Sequence, residues 1–198
     1  MDIPSADEVR ALHQKYAPTR EAFEVVYTHC EIVWSIAQDL LRRFEGTLNA
    51  DLVQAGCLLH DIGVYQLYDA HGVLDNSQYI RHGVLGHNIL RAEGFPEFVC
   101  RFCSCHTGVG LSKHDVITQQ LPLPLADYLA ETAEERLVMY ADKFHSKTNP
   151  PKFMSAPAYA TYVQRFGDDK TTAFHALHAE FGDPDLMALS ARFGHRIH

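Results

Sequence analysis

Residues 55–63, AGCLLHDIG, decide the fold because they end an apolar helix with an ionisable pair. Asn49 can cap this helix, which is predicted to run through Leu59, and Gly63 follows just past its end. His60 and Asp61 therefore lie at an apolar helix end, where an imidazole beside a carboxylate is costly unless a cation neutralises the pair. The doublet indicates a metal site at a helix terminus.

Four further ionisable residues are predicted to point into the core from other helices or helix ends: His29, His82, His106 and Asp142. Each has apolar neighbours about one helical turn away, as His29 has in Val26 and Ile32. One isolated core histidine usually bonds a backbone carbonyl. Without a metal, five independent cases of buried polar pairing would be needed, whereas one shared metal centre explains them all.

Helical spacing of apolar residues recurs along the chain, and no alternating strand pattern of useful length is present. Capping boxes open helices at Ser5 and Thr132. Glycines and prolines in 107–131 predict an irregular connection, a candidate lid. The predicted helices are a short first helix after Ser5, then about 20–45, 49–59, 76–93, 96–106 and 132–146, with two or three more in 155–195.

The predicted fold class is therefore all-α, a helical bundle with additional C-terminal helices. With 198 residues, 46% of them hydrophobic, the chain suits one domain, 1–198, with a metal-site core at about 20–148 and a C-terminal helical extension at about 152–198. Aromatic stripes in 155–193 have ordinary core spacing or form a dimer face, so a homodimer is an open prediction.

Composition excludes several classes of protein. The net charge of −8, with no basic run longer than Arg42-Arg43, argues against binding to a nucleic acid duplex. No signal peptide or membrane-spanning stretch is present, so a cytoplasmic protein without membrane partners is expected, with its five cysteines reduced. Thirteen histidines direct attention to metal chemistry.

The ordered residues His29, His60-Asp61 in LLHDIG and Asp142 in YADK resemble the H…HD…D signature of the HD superfamily of metal-dependent phosphohydrolases. His82 in RHGVLG and His106 in CHTGVG look like the two extra histidines of its dinuclear members. Examples are the HD-GYP phosphodiesterases and the HD-type symmetrical diadenosine-tetraphosphate hydrolases. The resemblance covers about residues 25–148.

This resemblance implies a ligand set. One metal would be bound by His29, His60, Asp61 and Asp142, and Asp61 would bridge to a second metal held by His82 and His106. Mixed imidazole and carboxylate ligands suit two divalent or mixed-valence transition-metal ions, namely Fe, Mn, Co, Ni or Zn, without choosing among them.

The implied reaction is hydrolysis of a phosphoric ester or anhydride in a small, nucleotide-like substrate by a metal-activated water. Lys143 and Arg81 are candidate phosphate contacts, and Lys113 and Lys147 are further cationic candidates. Lys143 and Lys147 are predicted one turn apart on a helix, where a solvated helix face is the slightly favoured interpretation.

Two alternatives stay open. HD-type mixed-valence diiron oxygenases have the same six ligands, so the sequence hardly separates an oxygenase from a hydrolase. A metal-stabilised regulatory or binding module without catalysis is the second alternative. Val64 is its main support, because related enzymes often carry Lys or Glu three residues after the doublet. Val64 argues against the deoxynucleotidase type, and no HHE…GYP block supports a cyclic dinucleotide esterase.

Other candidates are demoted. His87 could replace His82 as a ligand, but its helix face also carries Arg91. His145 shares a face with Asp142 and is a candidate support for a ligand. The thiols of Cys100, Cys103 and Cys105 are interpreted as small buried hydrophobes rather than a zinc site. The remaining histidines are predicted at the surface: His13, His71, His114, His175, His178, His195 and His198.

Overall fold

The computed structural model describes residues 3–44 and 46–198. Over these residues the chain forms ten α-helices: α1 Ala6–Tyr16, α2 Arg20–Leu41, α3 Ala50–Leu59, α4 His82–Ala92, α5 Glu97–Ser104, α6 Lys113–Thr118, α7 Ala133–Asp142, α8 Ala156–Val163, α9 Asp168–Phe181 and α10 Leu186–Phe193. Short 3₁₀ helices lie at Arg42–Phe44, Ile62–Leu67, Asn76–Arg81 and Gln164–Phe166. The all-α prediction is confirmed.

Helix starts follow the sequence closely. Side chains of Ser5, Asn49 and Thr132 cap α1, α3 and α7, and both predicted capping boxes are present. The predicted helix 20–45 ends as an α-helix at Leu41 and continues as a 3₁₀ turn to Phe44, while Glu45 lies outside the described residues.

Helix ends near the predicted ligands differ from the prediction. The segment 76–93 is a 3₁₀ helix up to Arg81 and an α-helix from His82, and α5 and α7 stop at Ser104 and Asp142 rather than at about 106 and 146. After α5, the His106 ring donates to the carbonyl of Cys103 and so satisfies a carbonyl of the last turn. The predicted ligand His106 therefore also caps the C-terminal end of α5.

A three-stranded sheet of two-residue strands was not predicted. β1 His145–Ser146 pairs antiparallel with β2 Lys152–Phe153, which pairs parallel with β3 Arg196–Ile197. Two residues are too few to show an alternating pattern, so the sequence carried no signal. The sheet brings the segment after α10 beside the segment after α7.

Helix α2 lies at the centre and separates two apolar clusters. One side packs with α1, α3 and the turn Ile62–Leu67, and the other with α7 and the C-terminal helices. Phe174 of α9 and Tyr159 of α8 are buried in the same cluster as Tyr140 of α7. The C-terminal helices therefore share a core with the predicted metal-site region.

The segment 107–131 contains α6 and is bound to α9. Lys170 donates to Asp115 Oδ2 at 2.6 Å and to the Gly110 carbonyl at 3.2 Å. The backbones of Leu111 and Tyr128 form an isolated bridge across the segment. That it acts as a lid stays a prediction. Among the described residues, no helix is long and apolar enough to cross a membrane.

Candidate metal centre

The six predicted ligands come from five elements and meet at one place. His29 lies in the middle of α2, His60 and Asp61 end α3, His82 begins α4, His106 follows α5, and Asp142 ends α7. The five other than Asp142 are buried, and the side chain of Asp142 is 17% exposed. The five elements therefore bring these side chains to one centre, which is open to solvent at Asp142.

Asp61 lies between two groups of imidazoles. Its Oδ2 is 3.3 Å from His29 Nε2 and 3.6 Å from His60 Nε2. Its Oδ1 is 3.4 Å from His82 Nε2 and 3.6 Å from His106 Nε2. Each oxygen of one carboxylate thus faces a different pair of histidines, as a bridging ligand requires.

Asp142 completes the first group. Its Oδ1 is 3.0 Å from His29 Nε2 and 3.5 Å from His60 Nε2. Two sets of three residues each have potential ligand atoms within 4.8 Å of one another. One set is His29, His60 and Asp142, and the other is His60, Asp61 and His106. Such spacing and donor types suit a transition-metal ion.

Three of the histidines have their tautomer set by the backbone. A carbonyl oxygen only accepts, so each Nδ1 in contact with one must carry the hydrogen, which leaves Nε2 with a free lone pair in the neutral ring. The bonds run from His60 to Cys57, from His82 to Tyr79 and from His106 to Cys103, at 2.7, 2.6 and 2.7 Å. These Nε2 atoms are the ones that converge.

The second group of imidazoles, His82 and His106, shows whether a cation fits between their rings. His82 Nε2 and His106 Nε2 are 2.9 Å apart, although both rings have used their Nδ1 hydrogen on a carbonyl. Burial lowers the pKa of His82 to about 3 and also lowers the pKa of His106, so both rings are neutral near pH 7. Two facing lone pairs repel, and a shared cation satisfies both.

Lys147 lies at the metal centre, although the sequence favoured a solvated helix face for its side chain. Because α7 ends at Asp142, Lys147 follows β1 instead of extending a helix, and its ammonium donates to Asp61 Oδ2. Burial acts against the charged form, but the Lys147 ammonium holds the pKa of Asp61 well below its usual value. The solvated helix face predicted for Lys147 is wrong, since its side chain is 17% exposed and reaches the centre.

The other cations take different places. Lys143 is buried and donates to Asp142 Oδ2 at 2.7 Å and to the His106 carbonyl at 3.0 Å, so it connects two ligand-bearing segments. A solvated helix face is therefore wrong for Lys143 as well. Arg81 is exposed, next to His82. Lys113 is exposed and lies 3.7 Å from Asp127 in the segment 107–131.

Two histidines predicted at the surface have structural partners. His13 is fully buried, with Nε2 2.7 Å from the Leu58 carbonyl and Nδ1 2.9 Å from the Tyr65 hydroxyl. His195 is half-buried and lies 3.0 Å from His145, the candidate support, which itself contacts His29 Nδ1. No local pattern could reveal these contacts, because they join residues 45 or more positions apart.

The demoted candidates lie outside the cluster. His87 Nδ1 is 3.1 Å from Ser104 Oγ, and its Nε2 is 3.5 Å from Glu97. The five cysteines are free and buried, as predicted, and burial raises the pKa of Cys103 well above its usual value. Val64 is 1% exposed and packs in an apolar cluster, so this position has no charged group to offer the centre.

Comparison with known proteins gives a family match, three relatives in sequence and a structural neighbour. The HD domain family model matches residues 26–147. The chain is 38% identical over 122 residues to the Uncharacterized protein MJ0778 of Methanocaldococcus jannaschii, covering 60% of this chain and 65% of that protein. It is 32% and 34% identical to the tRNA (cytidine(56)-2'-O)-methyltransferases of Picrophilus torridus and Thermoplasma volcanium, over 65% and 71% of this chain.

These matches span only part of the relatives. The chain covers less than two thirds of the Methanocaldococcus protein and 33% and 36% of the two methyltransferases. Among solved structures, the HD domain of the phosphodiesterase PgpH from L. monocytogenes superposes with a TM-score of 0.51 at 16% identity, over 85% of this chain and 94% of that one. Its complex with cyclic-di-AMP gives 0.53 at 15% identity, over 96% and 99%. The likeness shows a common fold.

Proposed function

The chain belongs to the HD domain family, and we propose that it is a metal-dependent phosphohydrolase acting on a small, nucleotide-like phosphorylated substrate. Two transition-metal ions would be held by His29, His60, Asp61, His82, His106 and Asp142. Iron, manganese, cobalt, nickel and zinc all suit these ligands.

The position of Asp61 is the observation that best supports the two-metal centre of this proposal. Its two oxygens face separate groups, with His29, His60 and Asp142 on one side and His82 and His106 on the other. A buried carboxylate flanked by four imidazoles is stable only with cations beside it, and Lys147 contacts Oδ2 alone. A bridging role accounts for both oxygens.

The chemistry supplied by two bound cations is polarisation of a phosphoryl oxygen and a lowered pKa of a coordinated water. The chain supplies the rest. Lys147 lies at the partly exposed edge beside Asp142, where its ammonium can move from Asp61 to a substrate phosphate. Lys143 holds Asp142 and His106 in place. Arg81, exposed beside His82, stays a candidate phosphate contact.

The substrate class rests on charge and on fold likeness. A protein with a net charge of −8 places two lysine ammonium groups at this one site, which suits an anionic substrate. The structural neighbour PgpH is a phosphodiesterase solved with cyclic-di-AMP, a small phosphorylated ligand. Both observations favour an anionic phosphorus-containing substrate over an uncharged alcohol. Assays in and out of air separate a phosphate ester from the phosphonate that an oxygenase of this ligand set can also use.

The decisive experiment pairs metal analysis with assays in and out of air. Protein purified without chelator should contain two transition-metal ions per chain and release phosphate from a nucleotide or phosphoester panel equally well under anaerobic and aerobic conditions. Turnover that occurs only in air, with two irons bound, would establish the diiron oxygenase instead. Two metals without turnover of any phosphoester or phosphonate in the panel would argue against both enzymes and favour a binding module.

Replacing Asp61 with Ala should remove both metals and abolish phosphate release, because among the described residues only this carboxylate has its two oxygens facing different pairs of histidines. Elemental analysis of D61A measures this directly. The matched control is His87→Ala, which changes a half-buried histidine of α4 outside the cluster and should keep both metals. Full metal content in D61A would contradict the dinuclear centre.

A further inference from the structure

His29 differs from the other histidine ligands in what its second nitrogen contacts. It lies in the middle of α2, where the carbonyls of the preceding turn accept backbone hydrogen bonds. His60 and His106, at helix ends, reach carbonyls of a last turn instead. His29 Nδ1 lies 2.8 Å from His145 Nδ1, so a side chain 116 positions away takes the role of the carbonyl.

Hydrogen-bond balance fixes every proton in this contact. His29 can use Nε2 as a ligand only if Nδ1 carries its hydrogen, so Nδ1 donates and His145 Nδ1 accepts. A ring whose Nδ1 accepts a hydrogen bond carries its hydrogen on Nε2, so His145 Nε2 donates to His195 Nδ1 at 3.0 Å.

The small sheet holds the two supporting rings in place. His145 belongs to β1, and His195 immediately precedes β3. The His145 ring stacks on those of His29 and His195, with centroids 5.1 and 5.2 Å away. Phe153 of β2 contacts both supporting rings, and Ser190 Oγ donates to the His195 carbonyl at 2.7 Å. The pair is packed and bonded on several sides.

We propose that His145 and His195 are positioning residues that hold His29 in its Nδ1–H tautomer and in its orientation, so that the segment around residue 195 completes the first metal site. The second site does not depend on them, because His82 and His106 take their tautomers from nearby carbonyls. The inference rests on the proposed metal centre but not on the reaction that it performs.

The first test measures metal affinity. His145→Ala should weaken binding of the metal held by the His29, His60, Asp142 group about 10–100-fold, the usual effect of removing a ligand's hydrogen-bond partner, and leave the second site unchanged. His145→Asn should restore most of the affinity, since Oδ1 of Asn occupies the place of Nδ1 and accepts from His29. Titration of the metal-free variants with Co²⁺ or Zn²⁺ against a chelator gives both affinities.

His195 allows an independent pair of variants. His195→Ala should weaken the same site by a smaller factor, because His145 Nε2 can then donate to water, and His195→Asn should restore it. The matched control is Arg196→Ala, which changes an exposed side chain of β3 and should leave both affinities as in the wild type. Circular dichroism of each metal-free variant checks that the fold is kept.

Tautomers give a readout that does not depend on activity. In ¹⁵N spectra of the histidine-labelled, Zn²⁺-loaded protein, His145 should be the Nε2–H form, because its Nδ1 accepts from His29 Nδ1. A wild-type His145 in the Nδ1–H form would overturn the inference, as would equal affinities in H145A, H145N and wild type. A wild type that binds no metal would instead overturn the metal centre itself.

Discussion

At the scale of single residues, the centre depends on how buried charges are matched. Asp61 has both oxygens among imidazoles and one of them bonded to Lys147, whose own pKa it holds well above the usual value despite burial of the ammonium. A buried charge that loses its partner is expensive. Lys147 therefore stabilises the metal-free protein by neutralising a ligand that the metals would otherwise neutralise.

Replacing Lys147 with Met should lower the free energy of unfolding of the metal-free protein by about 3 kcal/mol, because the buried Asp61 carboxylate loses the ammonium that neutralises its charge. The loss should be much smaller with metals bound. Urea denaturation of both forms measures it. The control is Lys113→Met, in an exposed pair, which should change either form by at most about 0.5 kcal/mol. An equal loss with and without metal would argue against this role of Lys147.

At the scale of elements, the close approach of two backbones sets the distance between ligands. Gly63 lies in the turn that follows Asp61, and it packs on α4, which carries His82. A Cβ at this position would be 2.0 Å from the His82 carbonyl oxygen and 2.2 Å from the Gly86 nitrogen. The glycine predicted as a helix stop therefore serves as a contact point between the doublet and the second group of ligands.

Gly63→Ala should lower the free energy of unfolding by about 3 kcal/mol and reduce metal content, because α4 must move away from Asp61. Thermal unfolding and elemental analysis test both effects. Gly46→Ala isolates the backbone cost, since φ is +78° there and, among the described residues other than its chain neighbours, no atom lies within 4 Å of the added Cβ. It should cost about 1–2 kcal/mol and keep both metals. Normal metal content in G63A would show that α4 tolerates the displacement.

At the scale of the whole molecule, the C-terminal helices and the metal-site region are built on one core. Phe174 of α9 is 1% exposed, and its ring centroid is 4.8 Å from that of Tyr159 and 5.8 Å from that of Tyr140, which lies in α7 two residues before Asp142. Trp34 of α2 packs against both apolar clusters. These contacts favour a single cooperative unit, as the one-domain prediction requires.

Unfolding followed by Trp34 fluorescence and by far-ultraviolet circular dichroism should therefore give one coincident transition. Phe174→Ala should shift both signals together and lower the free energy of unfolding by about 3–4 kcal/mol, through the cavity that it leaves. Phe166→Ala, at a ring that is 46% exposed, is the control and should change it by about 0.5 kcal/mol or less. Separate transitions for the two signals would instead indicate two folding units.

The sequence by itself determined the helical class and the six residues that converge. Periodicity and caps are local properties, and a histidine on an apolar helix face must point inward wherever the helix packs. His29, His60, His82, His106 and Asp142 were predictable from such apolar helical surroundings, and Asp61 was predictable because it directly follows His60 at a helix end. The family resemblance added their division into two groups around Asp61, and the distances now found are consistent with that division.

Only the tertiary structure decided what surrounds those residues. Lys147 reaches Asp61 because α7 ends at Asp142 and the chain turns back through β1. His195 reaches His145 through a sheet of two-residue strands, too short to leave a pattern. Contacts between residues 50 to 116 positions apart depend on how the helices pack, which local spacing does not encode. The ligands follow from local order, and their supports follow from long-range packing.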